Sequence, residues 1–125
     1  MKQIERMNSA SNQWEPDPWD ASDAEAASQF EGFEIRSAKP LIWFPIRSAK
    51  GLVFGTDAQK LINADVEYFA TYDDEDMILM RLAWHGFPDP PEWRLATRPS
   101  SGRQEPWKVW GYFAKLPDPW VLSDI

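Results

Sequence analysis

The sequence predicts an α+β fold: a mainly antiparallel β-sheet of about seven short strands, one or two short helices and an acidic N-terminal arm. Three observations carry that expectation. Apolar residues recur with period two in several short stretches, the spacing of half-buried strands. Gly, Pro and Asp/Asn clusters separate those stretches and suit turns rather than helix interiors. Two segments instead open with a hydroxyl residue followed three positions later by Glu or Gln, the signature of a helix start. At 125 residues and 14.5 kDa, the chain has the size of one domain with one real core.

Composition assigns residues 1–30 to an acidic arm bearing Trp and Pro, and residues 31–125 to a single β-rich globular domain. Within the arm, residues 8–12 are linker-like, and Ser22 with Glu25 predicts a capped helix over residues 22–30. Next, Ile35-Arg36-Ser37-Ala38-Lys39 recurs as Ile46-Arg47-Ser48-Ala49-Lys50. Phe33 and Ile35, then Ile42, Phe44 and Ile46, alternate, so this segment reads as a basic β-meander closed by residues 52–54. Thr56 and Gln59 predict the start of a second helix that ends near Asn63. Residues 65–72 and 77–84 read as a hairpin around an Asp73-Asp74-Glu75-Asp76 turn. A Pro-rich loop at 86–91, strands at 93–98 and 107–114, a polar loop at 99–106 and a Pro-stiffened tail at 116–125 complete the chain.

Charge is segregated along the sequence. The formal net charge is −7. Residues 1–34 hold Lys2 and Arg6 against eight acids, a net of −6. Residues 35–60 hold five cations against Asp57, a net of +4, and residues 61–92 hold one Arg against eight acids, a net of −7. Such blocks steer partners of opposite sign.

Several kinds of chemistry are disfavoured. There is no cysteine, hence no disulfide, thiolate metal site or cysteine nucleophile. The single histidine, His85, forms no metal-binding pair, and neither a nucleophile elbow nor a phosphate-binding glycine loop occurs. Asp73–Asp76 lacks the spacing of a calcium loop, so no metal or cofactor is expected. No stretch is long and apolar enough to span a membrane, and residues 1–11 carry no secretory signal, so the expectation is a cytoplasmic protein.

One short motif occurs at both ends: Pro16-Asp17-Pro18-Trp19 and Pro117-Asp118-Pro119-Trp120. Proline stiffens an extended segment, so a neighbouring Trp loses less entropy when it docks, either on its own domain or in a partner's groove. The leading expectation is therefore a non-enzymatic binding protein acting by occlusion. Trp14, Asp17, Trp19 and Asp20, with Asp73, Asp74, Glu75 and Asp76 of the hairpin, would engage a basic surface on a larger protein. In gross composition, the chain is similar to the small acidic inhibitors that phages and mobile elements direct at nucleic-acid-binding host defence proteins. A single-stranded nucleic-acid module is the alternative, with Arg36, Lys39, Trp43, Arg47 and Lys50 as a basic and aromatic patch regulated by the arm. A carboxylate-based enzyme or a carbohydrate binder stands behind these two, and a homo-oligomer is compatible with all of them.

Overall fold

A computed structural model of the protein describes residues 13–81 and 93–123. Strands β1 (Ile42–Pro45), β4 (Val66–Tyr72), β5 (Glu75–Arg81), β6 (Trp93–Pro99), β7 (Lys108–Phe113) and β8 (Val121–Leu122) form one six-stranded sheet in the order β7-β6-β5-β4-β1-β8. Every pairing is antiparallel except β1 with β8. Strands β2 (Leu52–Val53) and β3 (Thr56–Asp57) form a separate hairpin. Helices α1 (Asp23–Ser37) and α2 (Ala58–Asn63) complete an α+β fold. The linker-like residues 8–12, the loop at 86–91 and His85 lie outside the described residues.

Helix α1 starts where the sequence places it. The Ser22 hydroxyl accepts from the Glu25 amide at 3.2 Å, and the Glu25 carboxylate accepts from the Ser22 amide at 3.1 Å. The helix then runs to Ser37, so residue 30 falls inside it. The β-meander expected from residue 33 is corrected accordingly: Phe33 and Ile35 are helical, and only Ile42–Pro45 of that segment is a strand of the main sheet. Phe30 and Phe33 explain the outcome. Three positions apart, they share one helix face, and both are buried. Five residues of apparent alternation cannot outweigh a cap and a buried i, i+3 pair.

The repeated Ile-Arg-Ser-Ala-Lys segment forms a helical turn both times. The first copy ends α1, and the second opens the 3-10 turn Ile46–Ser48. In each, the serine hydroxyl donates to the carbonyl three residues back, Ser37 to Glu34 and Ser48 to Pro45. The start of α2 is also corrected by one residue. Asp57, not Thr56, is the N-cap, and its carboxylate accepts from the Gln59 amide at 2.9 Å.

Apolar side chains divide between the two faces of the sheet. One face packs Trp43, Met77, Leu79, Leu95 and Phe113 under Phe30, Phe33 and Trp120. The other packs Val66, Ile78, Met80 and Ala96 under Ile46, Val53, Ala58 and Leu61. Simple alternation does not run the length of β4 or β7. Register shifts lie between Val66 and Tyr68, and opposite Arg94 to Ala96, and each puts consecutive stretches of one strand on different faces. Val66 and Val109 thus join the second core, whereas Ala70 and Phe113 join the first.

Gly32 marks the crossing of α1 over β7. A Cβ there would overlap the six-membered ring of Trp110. That indole cannot yield cheaply: its N–H donates to Thr97 Oγ1 at 2.8 Å, and the Arg36 guanidinium lies 4.2 Å from its ring centre. Alanine is the better helix former by about 1 kcal/mol, but forced overpacking costs roughly 1–3 kcal/mol and the backbone contact is closer than either term assumes. Gly32→Ala is therefore expected to destabilise by about 2 kcal/mol in urea unfolding, against its helix propensity. A raised urea midpoint would refute this reading of the crossing.

Candidate partner-binding site

The N-terminal segment binds along the outer edge of β7. Glu15 and Tyr112 exchange two backbone hydrogen bonds, each 2.8 Å. Trp14 turns inward, 8% exposed, and its indole N–H donates to the Trp110 carbonyl at 2.8 Å. Its ring meets Phe30 edge-on at 5.4 Å and lies against Gly111, whose φ of +100° suits glycine and where a Cβ would stand 2.7 Å from the Glu15 carbonyl. Trp14 is part of the core.

Asp17 fastens the next turn. Its amide donates to Gln29 Oε1 at 2.9 Å, and its carbonyl accepts from Gln29 Nε2 at 2.6 Å, so a side chain of α1 pairs with it as a strand would. Its carboxylate accepts from the Tyr112 hydroxyl and from Arg94 Nη2, both at 2.8 Å. Burial raises the Tyr112 pKa above its ordinary value, and the Asp17 carboxylate that its proton serves adds to the rise. The Asp17–Pro18 peptide is cis, and the Ala21 amide closes the turn on the Pro18 carbonyl at 2.9 Å.

This fastened loop presents Trp19 to solvent, 80% exposed, with Asp20 and Asp23 exposed beside it. The C-terminal copy of the motif has the opposite fate. Trp120 is buried between Trp43 and Phe113, and its indole N–H donates to the Arg36 carbonyl at 3.0 Å. Two copies of one tetrapeptide thus give one core indole and one bare one.

The acidic hairpin is mostly spoken for. Its turn is only Asp73-Asp74, both at positive φ as a tight two-residue hairpin requires, while Glu75 and Asp76 belong to β5. The expected four-residue turn is corrected to that extent. Asp73 and Asp74 are exposed, and Asp73 pairs with Lys39 at 3.0 Å. Glu75 takes a two-pronged contact from Arg36, at 2.9 and 2.6 Å. Asp76 is wholly buried. It accepts from Arg103 Nε at 2.7 Å and Nη2 at 3.1 Å and from the Ser100 hydroxyl at 2.7 Å, and Arg98 Nε lies 4.0 Å away.

The residues of the basic and aromatic patch do not assemble into one surface. Trp43 is wholly buried, and Arg36 and Lys39 are engaged by Glu75 and Asp73. The +4 and −7 blocks of the sequence thus neutralise each other in part across the sheet. Arg47 and Lys50 remain exposed. Sequence reasoning missed Arg94, Tyr112 and Gln29, which position the Trp19 loop, and Arg98 and Arg103, which hold Asp76. Their partners are met through tertiary packing, which no local pattern encodes.

Among the described residues, no group of acids and histidine is placed to hold a metal ion, and no helix is long and apolar enough to cross a membrane. Comparisons with protein-family models, curated proteins and solved structures find nothing that matches this chain.

Proposed function

We propose that this chain is a protein-binding protein that acts by occlusion, seating Trp19 in a pocket on a basic surface of a larger protein, with Asp20 and Asp23 meeting cations at the rim. One observation carries the reading: an indole 80% exposed on a loop whose backbone and carboxylate are both tied down. Trp is the residue most often found at the energetic centre of protein interfaces, and a rigid presentation lowers the entropic cost of binding. The acids add on-rate and orientation toward a positive partner. A basic surface is the electrostatic footprint of a nucleic-acid-binding protein, so covering it would inhibit such a partner. This leaves Trp14 and Asp17 in supporting positions, the first within the core and the second as the residue that orients the loop.

The test compares capture from a lysate of the source cells by the wild type, Trp19→Ala and Asp17→Asn. Trp19→Ala is expected to keep the wild-type Tm, because a side chain this exposed contributes within about 0.5 kcal/mol to folding. It is expected to weaken capture by about 2–4 kcal/mol, roughly 30- to 1000-fold in Kd. Asp17→Asn should give a smaller loss by loosening the loop. Capture by Trp19→Ala equal to wild type would refute the proposal.

A further inference from the structure

Six of the seven described indoles are accounted for inside the molecule. Trp14, Trp43, Trp93 and Trp120 lie in the core. Trp93 has the Arg81 guanidinium 4.3 Å from its ring centre, Trp107 has Arg98 at 4.3 Å, and Trp110 has Arg36 at 4.2 Å and Lys108 at 5.0 Å. The two partly buried indoles, Trp107 and Trp110, are each covered by a cation. Trp19 alone has neither a core nor a cation among the described residues.

The complement of Trp19 exists elsewhere on the same chain. Arg47, Lys50 and Lys60 are exposed, and none makes an ion pair, a side-chain hydrogen bond or a ring contact among the described residues. They lie on adjoining elements. The 3-10 turn carrying Arg47 packs on α2, which carries Lys60, and the Ala58 amide at the start of α2 donates to the Gly51 carbonyl beside Lys50 at 2.9 Å. Leu52, 70% exposed, follows directly. The cluster offers cations, an apolar contact and no acid other than the capping Asp57 on those elements.

One molecule cannot bring the two surfaces together in this fold. Asp17 and Glu15 hold the Trp19 loop at β7, whereas α2 and the 3-10 turn pack near β4. The loop is tied to α1 through Gln29 and Trp14 on one face of the sheet, whereas the 3-10 turn, β2 and α2 cover the opposite face. We propose that the Trp19 loop of one molecule seats on the Arg47/Lys50/Lys60 cluster of a second copy, with the indole on Leu52 under a cation and Asp20 and Asp23 facing the remaining charges. The contact is head-to-tail, so it propagates as a ring or open chain rather than closing as a two-fold dimer. It rests on the reading of Trp19 as an anchor, and it would make self-association and partner capture compete for one loop.

Sedimentation velocity on the full chain tests this. The wild type should show a mass that grows with concentration at low salt and returns to the 14.5 kDa monomer near 0.3 M NaCl, where exposed charges are screened. Trp19→Ala alone, and Lys50→Glu with Lys60→Glu alone, should each associate at least tenfold more weakly. The decisive arm mixes these two proteins: the first keeps an intact cluster and the second an intact loop, so together they should form a one-to-one dimer and nothing larger. Lys50→Gln with Lys60→Gln, which avoids charge reversal, takes the place of the Glu pair if the latter misfolds and should also associate at least tenfold more weakly. A wild type monomeric at all salts, variants associating like the wild type, or a mixture without dimer would each overturn the head-to-tail contact. None of these results touches capture of another protein through Trp19, which is read separately.

Discussion

Asp76→Ala is expected to lower the unfolding free energy by about 3–5 kcal/mol, because it removes a wholly buried carboxylate and leaves the buried Arg98 without a counter-charge. The carboxylate is fully buried at the β5–β6 pairing and holds Arg103 and Ser100 of the loop after β6. Arg98, itself buried, would keep the Phe54 carbonyl at 3.0 Å and the face of Trp107 but no counter-charge. Burial by itself pushes the Asp76 pKa up. The hydrogen bonds from Arg103 and Ser100 and the charges of Arg103 and Arg98 outweigh it, and the carboxyl titrates below its ordinary 3.8. The unfolded chain binds the proton first as pH falls, so the stabilisation is complete above about pH 4–5 and drains away as pH drops through the lower folded value. Urea midpoints of the wild type and Asp76→Asn should therefore differ by a constant amount at neutral pH and converge in acid. A gap that widens in acid would contradict this account.

Trp14→Ala is expected to cost about 3–5 kcal/mol, the range for emptying a large aromatic from a core. The cavity would open between Phe30, Phe33 and Gly111, and the Trp110 carbonyl would lose its indole donor. For a chain of this length, the Tm should fall by roughly 10–20 °C. Partner capture should fall as well, although Trp14 is buried in the core, because the Trp19 loop is fixed through the same segment. The two tryptophans, five residues apart, thus separate by assay: Trp19→Ala spares the Tm and loses binding, whereas Trp14→Ala loses both. Equal Tm values for the two variants would contradict the burial of Trp14.

The fold class was legible because turn residues and period-two stretches are local signals, and the β4–β5 hairpin and strands β6 and β7 lie close to where those signals put them. The first helix was half legible. Its cap is local, but its length depends on burying Phe33 against Phe113, 4.8 Å away between ring centres and eighty residues on in sequence. The bulges in β4 and β7 were not legible, since each arises from how two strands meet. The candidate site followed the same rule. The Pro-Asp-Pro-Trp motif flagged Trp19 as an anchor, but it flagged Trp120 equally, and only tertiary packing separates them. Glu75 and Asp76 read as turn acids able to meet a basic partner, because the arginines that hold them come from distant parts of the chain.

The pairing of Glu15 with Tyr112 has a further consequence. Strand β7 ends the sheet, and a bare outer strand offers its amides and carbonyls as a template on which other chains can stack. The N-terminal segment occupies both hydrogen-bonding groups of Tyr112 and brings an exposed carboxylate, Glu15, to that rim, while the opposite rim, β8, is only two residues long. The segment thus closes part of that rim to strand addition. Removal of the segment through Trp19 would bare the Tyr112 amide and carbonyl at the outer rim of β7.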